Sequence, residues 1–231
     1  MKTRSVQKII EEQARKWQLM SQERKRKKIP LEPMIYVSRQ PGSRGHLVAK
    51  RVAELLKFNF FDREVIMKVA ESSQMRSTIV ETLDERGRSM LLDWIQEWSH
   101  GEKASFDDYL EALIRVIGTI TRHGRAVIVG RGAGYILPKA PSFRVRIIAP
   151  LEKRIAQYAE EYQLPEKEAK KEIARIEAEQ RNFIMRYFDK DISEPLNYHL
   201  LINLGEMQIE EAAQAIKSGY DAFWQRIQKQ Y

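Results

Sequence analysis

The residues best suited to chemistry are arginines and glycines gathered at a few turns. The segment Ser38-Arg39-Gln40-Pro41-Gly42-Ser43-Arg44-Gly45-His46 lies between a short apolar run and a helical pattern. Glycines at 42 and 45 permit positive φ and close approach of backbone to a ligand. Backbone N–H groups opening a helix, with guanidinium groups at 39 and 44, suit a phosphate. The loop alone is a weak signal. A Gly-x-x-x-x-Gly-Lys-Ser/Thr pattern, laid over it in helix register, meets Arg39, Arg44, Gly45 and His46 at its four fixed positions. On this segment by itself, a plain glycine turn joining strand to helix is the simpler reading.

A second arginine stands out for its place. Arg131 sits between Gly130 and Gly132, directly after the apolar run 126–129. Further along, Arg154 opens one helical pattern, and Arg175, Arg181 and Arg186 lie on the next. Each of these helical arginines also suits a surface partner one turn away. Asp62 follows a short apolar run and is placed either to meet a ligand or to cap a helix. The chain has no cysteine, which excludes disulfides, thiolate catalysis and cysteine-bound metals. His46, His100, His123 and His199 are scattered without metal-ligand spacing.

Alternating elements must carry these residues. The segments 34–37, 58–61, 126–129, 143–149 and 200–203 read as short strands, with 34–37 and 126–129 unbroken apolar runs suited to burial. Helical periodicity fills the intervals: from Leu47 to Leu56, over most of 63–122, in two helices broken at Leu164-Pro165 within 151–188, and over 208–228. A charged turn is expected near Asp84-Glu85-Arg86-Gly87 and a loop over 99–103. Strands alternating with helices predict an α/β fold with a parallel sheet covered on both faces. The aromatic residues Trp94, Trp98, Tyr109, Trp224 and Tyr231 fall on apolar helical faces and are expected in the core or at an interface.

Charge is concentrated at one end. The chain of 231 residues has a formal charge of +8. Residues 1–30 hold ten Lys/Arg against three acids, a net +7, so the rest is close to neutral. A basic surface for nucleic acid across the whole domain is therefore not expected. Residues 5–21 read as an amphipathic helix through Val6, Ile9, Ile10, Ala14, Trp17 and Met20, with the basic run 24–28 after it and Pro30 and Pro33 as stops. Residues 1–32 are taken as an N-terminal helical extension and 33–231 as the main domain. The extension is expected to pack on its own domain or on a second copy, giving a homodimer, rather than to bind nucleic acid or a membrane. No apolar run nears the ~20 residues of a membrane span, and the N-terminus lacks a signal-peptide core, so a cytoplasmic address is expected.

Five segments in order resemble the cytidylate kinase-like family. The loop 38–45 is similar to that family's Ser-Arg-Glu-x-Gly-Ser-Gly-Gly loop, which itself lacks the P-loop lysine. Phe60-Phe61-Asp62-Arg63-Glu64-Val65-Ile66 is similar to Phe-Tyr-Asp-Arg-Glu-Ile-Ile. Val127-Ile128-Val129-Gly130-Arg131 is similar to Val-Ile-Val-Gly-Arg, and Ala149-Pro150-Leu151-Glu152-Lys153-Arg154 to Ala-Pro-x-Glu-x-Arg. Residues 198–203 resemble the closing Tyr-Asp-Leu-x-Ile-Asn strand. Together they span roughly 34–216 and leave the basic extension outside.

The resemblance implies a three-layer P-loop sheet with a helical lid, and phosphoryl transfer from ATP, with Mg²⁺, to CMP, dCMP or a related monophosphate. It implies donor phosphates at Arg39, Gly42, Ser43, Arg44, Gly45 and His46. Asp62, Arg131 and Arg154 are expected near the acceptor, and Arg44, Arg131, Arg181 and Arg186 around the transferred group. The metal ligands are left open. Departures from the pattern are visible: Gly132 stands where cytidylate kinases carry an aspartate, and Glu177 and Gln180 replace the aspartate and arginine of an Asp-x-x-Arg lid segment. These departures keep a second expectation alive, a nucleotide-binding protein without turnover on the same fold. A third is a nucleic-acid-binding or partner-binding role for the basic extension.

Overall fold

The computed structural model describes residues 5–27, 32–99, 107–136 and 141–229. Five strands form one parallel sheet: β1 (Met34–Arg39), β2 (Asn59–Phe61), β3 (Ala126–Val129), β4 (Ser142–Ile148) and β5 (Leu200–Asn203). Their order is β2-β3-β1-β4-β5, so β1 and β3 are neighbours near the middle. Each neighbouring pair is parallel, with Ile35 opposite Val127 and Phe143. The period of two decides which residue serves which face. Met34 and Tyr36 enter one apolar cluster, while Ile35 and Val37 enter the other.

Helices cover both faces. On one lie α2 (Gly45–Leu56) and α10 (Ile209–Gln228), which also pack on each other. On the other are α3 (Arg63–Glu71), α4 (Ser73–Val80), α5 (Glu85–Ser99) and α6 (Asp108–His123), with the short α7 (Ala133–Ile136) after β3. The mostly helical stretch 63–122 thus resolves into four helices. Asp62, Ser72 and Asp107 cap three of them through side-chain oxygens. The hairpin of α8 (Leu151–Tyr162) and α9 (Glu166–Phe188) is the lid element, broken where expected at Leu164-Pro165. The expected loop over 99–103, His100 and Tyr231 fall outside the described residues, apart from Ser99 at the end of α5.

The N-terminal helix α1 (Val6–Lys27) runs six residues beyond the expected 5–21 and takes in most of the basic run. Arg and Lys are good helix formers, so their charge alone does not end the helix. Its apolar face is buried within this chain. Trp17 is 1% exposed, stacks on His123 with ring centres 4.4 Å apart, and lies 6.0 Å from Phe61. Trp94, Trp98 and Tyr109 pack against the same cluster, and Trp224 against the opposite one. No helix among the described residues is long and apolar enough to cross a membrane.

Candidate functional site

The glycine loop lies where the sheet and its following helix meet. Ser43 is buried and folds the loop on itself: its hydroxyl donates to the Gln40 carbonyl at 2.7 Å and accepts from Gly45 N–H at 3.3 Å. Gln40 bridges to β4, donating its N–H to the Ile147 carbonyl and accepting from Ala149 N–H through its side chain. The N–H groups of Arg44 and His46 enter no hydrogen bond among the described residues, which leaves them for an anion. Gly42 holds φ +76°, and a Cβ there would stand 2.4 Å from the Arg154 carbonyl oxygen. A Cβ on Gly45 would stand 2.8 Å from Arg39 Cβ. Both glycines are therefore demanded by packing. Arg44 adopts the left-handed region at φ 56° as the residue preceding α2.

The lid hairpin is fastened to this loop. Arg154 is 5% exposed and donates to Ala149 and Pro41 carbonyls and to Glu177 at 2.8 Å. One guanidinium thus joins the loop, α8 and α9. The last turn of α8 supplies two carboxylates: Glu160 pairs with Arg44, and Glu161 lies 3.9 Å from His46. Burial pushes the His46 pKa down, Glu161 pulls it partly back, and Arg39 and Arg44 add to the lowering.

Beyond the ends of β1 and β3 a cavity of about 230 Å³ opens toward α9. Arg39, Arg63 and Arg131 line it. Arg39 and Arg63 make no side-chain hydrogen bond or ion pair among the described residues. Burial lowers the Arg39 pKa, and the charges of Arg63 and Arg131 lower it further. Burial likewise lowers that of Arg131, with Arg63 adding repulsion. Guanidinium groups stay charged regardless, so the lining is positive, partly offset by Asp62 at Arg39 and by Glu71 and Glu179 at Arg131. The carboxylate in the lining, Glu179, is already paired with Arg175. Clustered like charges in a cleft mark a place where an anion is welcome.

Arg131 reaches this position through strained backbone. Gly130, Arg131 and Gly132 hold φ of 80°, 54° and 63° in succession. Its guanidinium lies over the Phe183 ring at 5.9 Å and touches Met67 Sδ, while its Nε–H is buried without a partner. Gly132, where an aspartate was the pattern, is closed by Phe188: a Cβ there would stand 2.3 Å from the ring. No side chain fits that position as the core is packed.

The structure gathers Arg39, Arg63 and Arg131 around the cavity and places Gly42, Ser43, Arg44, Gly45 and His46 on the loop beside it. Asp62 caps α3, accepting from Val65 N–H at 2.8 Å, and its charge is felt at Arg39 and His46. Arg154 is spent on the loop and lid. Arg181 is exposed on α9 and is absent from the cavity lining. Arg186 pairs with Asp107 at 3.5 Å and lies over Tyr187. Sequence reasoning missed Arg63, Arg144 and Arg146. Arg63 stood inside the matched segment 60–66 and was given no role. Arg144 and Arg146 alternate with Phe143, Val145 and Ile147 in β4, two charges on one face of a buried strand, and that pattern was readable.

Comparison with known proteins follows the same line. The model of the cytidylate kinase-like family matches residues 34–206. A cytidylate kinase of Desulfurococcus amylolyticus is 29% identical over 187 residues, covering 81% of this chain and 92% of the relative. A crystal structure of an uncharacterized protein from Eubacterium ventriosum superposes with a TM-score of 0.67 at 20% identity, covering 83% of this chain and 99% of that one. The chain belongs to the cytidylate kinase-like family.

Proposed function

We propose that this member of the cytidylate kinase-like family transfers the γ-phosphoryl group of ATP to a nucleoside monophosphate, with CMP or dCMP as the first candidates. The observation that carries the reading is the cluster of Arg39, Arg63 and Arg131 at one cavity mouth beside the glycine loop. Phosphoryl transfer asks little covalent chemistry of a protein. It asks that two phosphates be held in line and their charge neutralised. The loop N–H groups and the start of α2 take the donor phosphates. The three guanidinium groups take the acceptor phosphate through forked hydrogen bonds. An oxygen of that phosphate then forms a bond to Pγ as the bond to the ADP oxygen breaks. The acceptor phosphate is largely a dianion at neutral pH, so no general base is required.

Bound Mg²⁺ would supply charge neutralisation between the donor phosphates. The described residues bring no group of three His, Asp or Glu together as a cage. Asp62 fits a water of the ion at most, since one of its oxygens caps α3. Arg44 takes the place of the missing loop lysine once nucleotide phosphate displaces Glu160. The test is ADP release from Mg·ATP against CMP, dCMP, UMP and AMP, beside Arg131→Ala. Turnover with one acceptor, lost in the variant, is the expected result. Saturable nucleotide binding with no turnover for any acceptor would leave a nucleotide-binding protein without kinase activity.

A further inference from the structure

Further along the sheet from the arginine cluster, the cavity lining carries another cation, Arg144. Arg144 stands on β4 directly opposite Tyr36 on β1, three residues before the level of Arg39. At ~3.3 Å per residue, its backbone lies roughly 10 Å along the sheet from the level of Arg39. Arg144 lines the cavity, and its Nε–H is buried with no partner among the described residues. Its side chain lies along Gly134, where a Cβ would meet Cδ at 3.3 Å. The strand neighbour Arg146 is different: it is buried and donates to Ser38 Oγ at 2.6 Å.

The phenols around Arg144 have already committed their protons. Thr121 donates to the Ile117 carbonyl, so Tyr36 is the donor in its 3.1 Å bond to Thr121. Tyr198 donates to the Ile192 carbonyl, so Tyr135 is the donor in its 3.2 Å bond to Tyr198. What this end of the cavity offers is a guanidinium with no hydrogen bond or ion pair among the described residues, beside phenol oxygens and flat aromatic walls. A phosphate at the mouth and a flat ring presenting an oxygen or ring-nitrogen acceptor below it would satisfy both ends. A site built to hydrogen-bond a ligand group discriminates against ligands that lack it.

We infer that Arg144 is the specificity-determining residue of the acceptor site, its guanidinium donating to an acceptor atom on the edge of a pyrimidine ring whose phosphate sits at Arg39, Arg63 and Arg131. This rests on the monophosphate reading and goes beyond it by naming the group that reads the base.

The test is calorimetric binding of CMP and of ribose 5-phosphate to the full chain and to Arg144→Met, each first checked for an unchanged melting profile. Ribose 5-phosphate keeps the phosphate and sugar and lacks the ring. The expected result is a loss of about tenfold or more in CMP affinity in the variant, with ribose 5-phosphate binding unchanged. Arg144→Lys, which keeps the charge and the stem along Gly134, recovers part of the loss and serves if Arg144→Met does not fold. CMP bound as tightly by both variants as by the parent overturns the role of Arg144 alone. An equal loss for both ligands overturns base reading and makes Arg144 part of general anion attraction. Failure of the unmodified chain to bind CMP overturns CMP as the acceptor and, with it, this role for Arg144.

Discussion

Gly132 offers a sharp test of how the site is built. Its φ of +63° lies in the left-handed region, and a Cβ would stand 2.3 Å from Phe188 Cε2 and 2.8 Å from Cζ. The ring cannot easily withdraw. It meets Trp98 edge-on at 5.7 Å, stacks on Tyr135 at 5.5 Å, and is 3% exposed. Gly132→Ala therefore adds a backbone cost of about 1–2 kcal/mol to an overpacking cost of about 1–3 kcal/mol. The expected loss is ~2–5 kcal/mol, which lowers the melting temperature by roughly 4–20 °C for a domain of this size. Urea unfolding of Gly132→Ala, Phe188→Leu and the double variant separates the two parts. Removing the ring relieves the clash and leaves the backbone cost, so the single costs exceed the double by ~1–3 kcal/mol. A Gly132→Ala variant within about 0.5 kcal/mol of the parent would refute the reasoning. So would strictly additive costs. The consequence for function is direct, since a carboxylate at 132 has no room and acceptor recognition must use other groups.

Three further outcomes are expected. Arg154→Met removes a buried cation that ties Pro41, Ala149 and Glu177 together, and should cost about 3–5 kcal/mol in urea unfolding. Glu177→Gln keeps an oxygen acceptor and should cost clearly less; equal, small costs would show that the lid is not fastened there. Trp17→Ala should cost about 3–5 kcal/mol, because α1 is part of the core, whereas a detached basic arm would show no cost. The His199 Nδ1 accepts from Arg144 N–H at 2.9 Å, and burial, helped by Arg144 and Arg226, lowers its pKa. The unfolded chain therefore takes up a proton below about pH 6.5 that the folded chain resists. Stability should fall as pH drops from 7 toward 5, and less so in His199→Asn, whose side-chain oxygen replaces the acceptor without titrating. Identical pH profiles for the two proteins would contradict this.

Local signals carried most of the fold. The unbroken apolar runs ending at Val37 and Val129 are strands because each is short and followed by a turn, and 143–149 is one by its alternation of Phe143, Val145 and Ile147 with arginines. Arg131 was legible for the same reason, standing at a strand end between glycines. The alternation that sets Arg144 on one face of β4 was readable, but its place in the cavity was not, because the register against Tyr36 and the contact with Gly134 in α7 bring it there. The fate of Arg154 was hidden too. Its partner Glu177 lies 23 residues away on the other helix of the hairpin, and spacing alone suggests only that both helices carry charge. Arg186 looked like a lid arginine until its partner Asp107 appeared at the start of α6. The closure of Gly132 by Phe188 joins residues whose contact depends on how α9 returns to the sheet. Periodicity reports which face a residue takes, and says nothing of which residue faces it.

The most direct test of the central claim is ³¹P NMR of the full chain with Mg·ATP and CMP, followed to completion. The account predicts growth of ADP and CDP resonances together, in equal amounts, with no inorganic phosphate. Inorganic phosphate in place of CDP, or an unchanged ATP spectrum while CMP is bound, would contradict it.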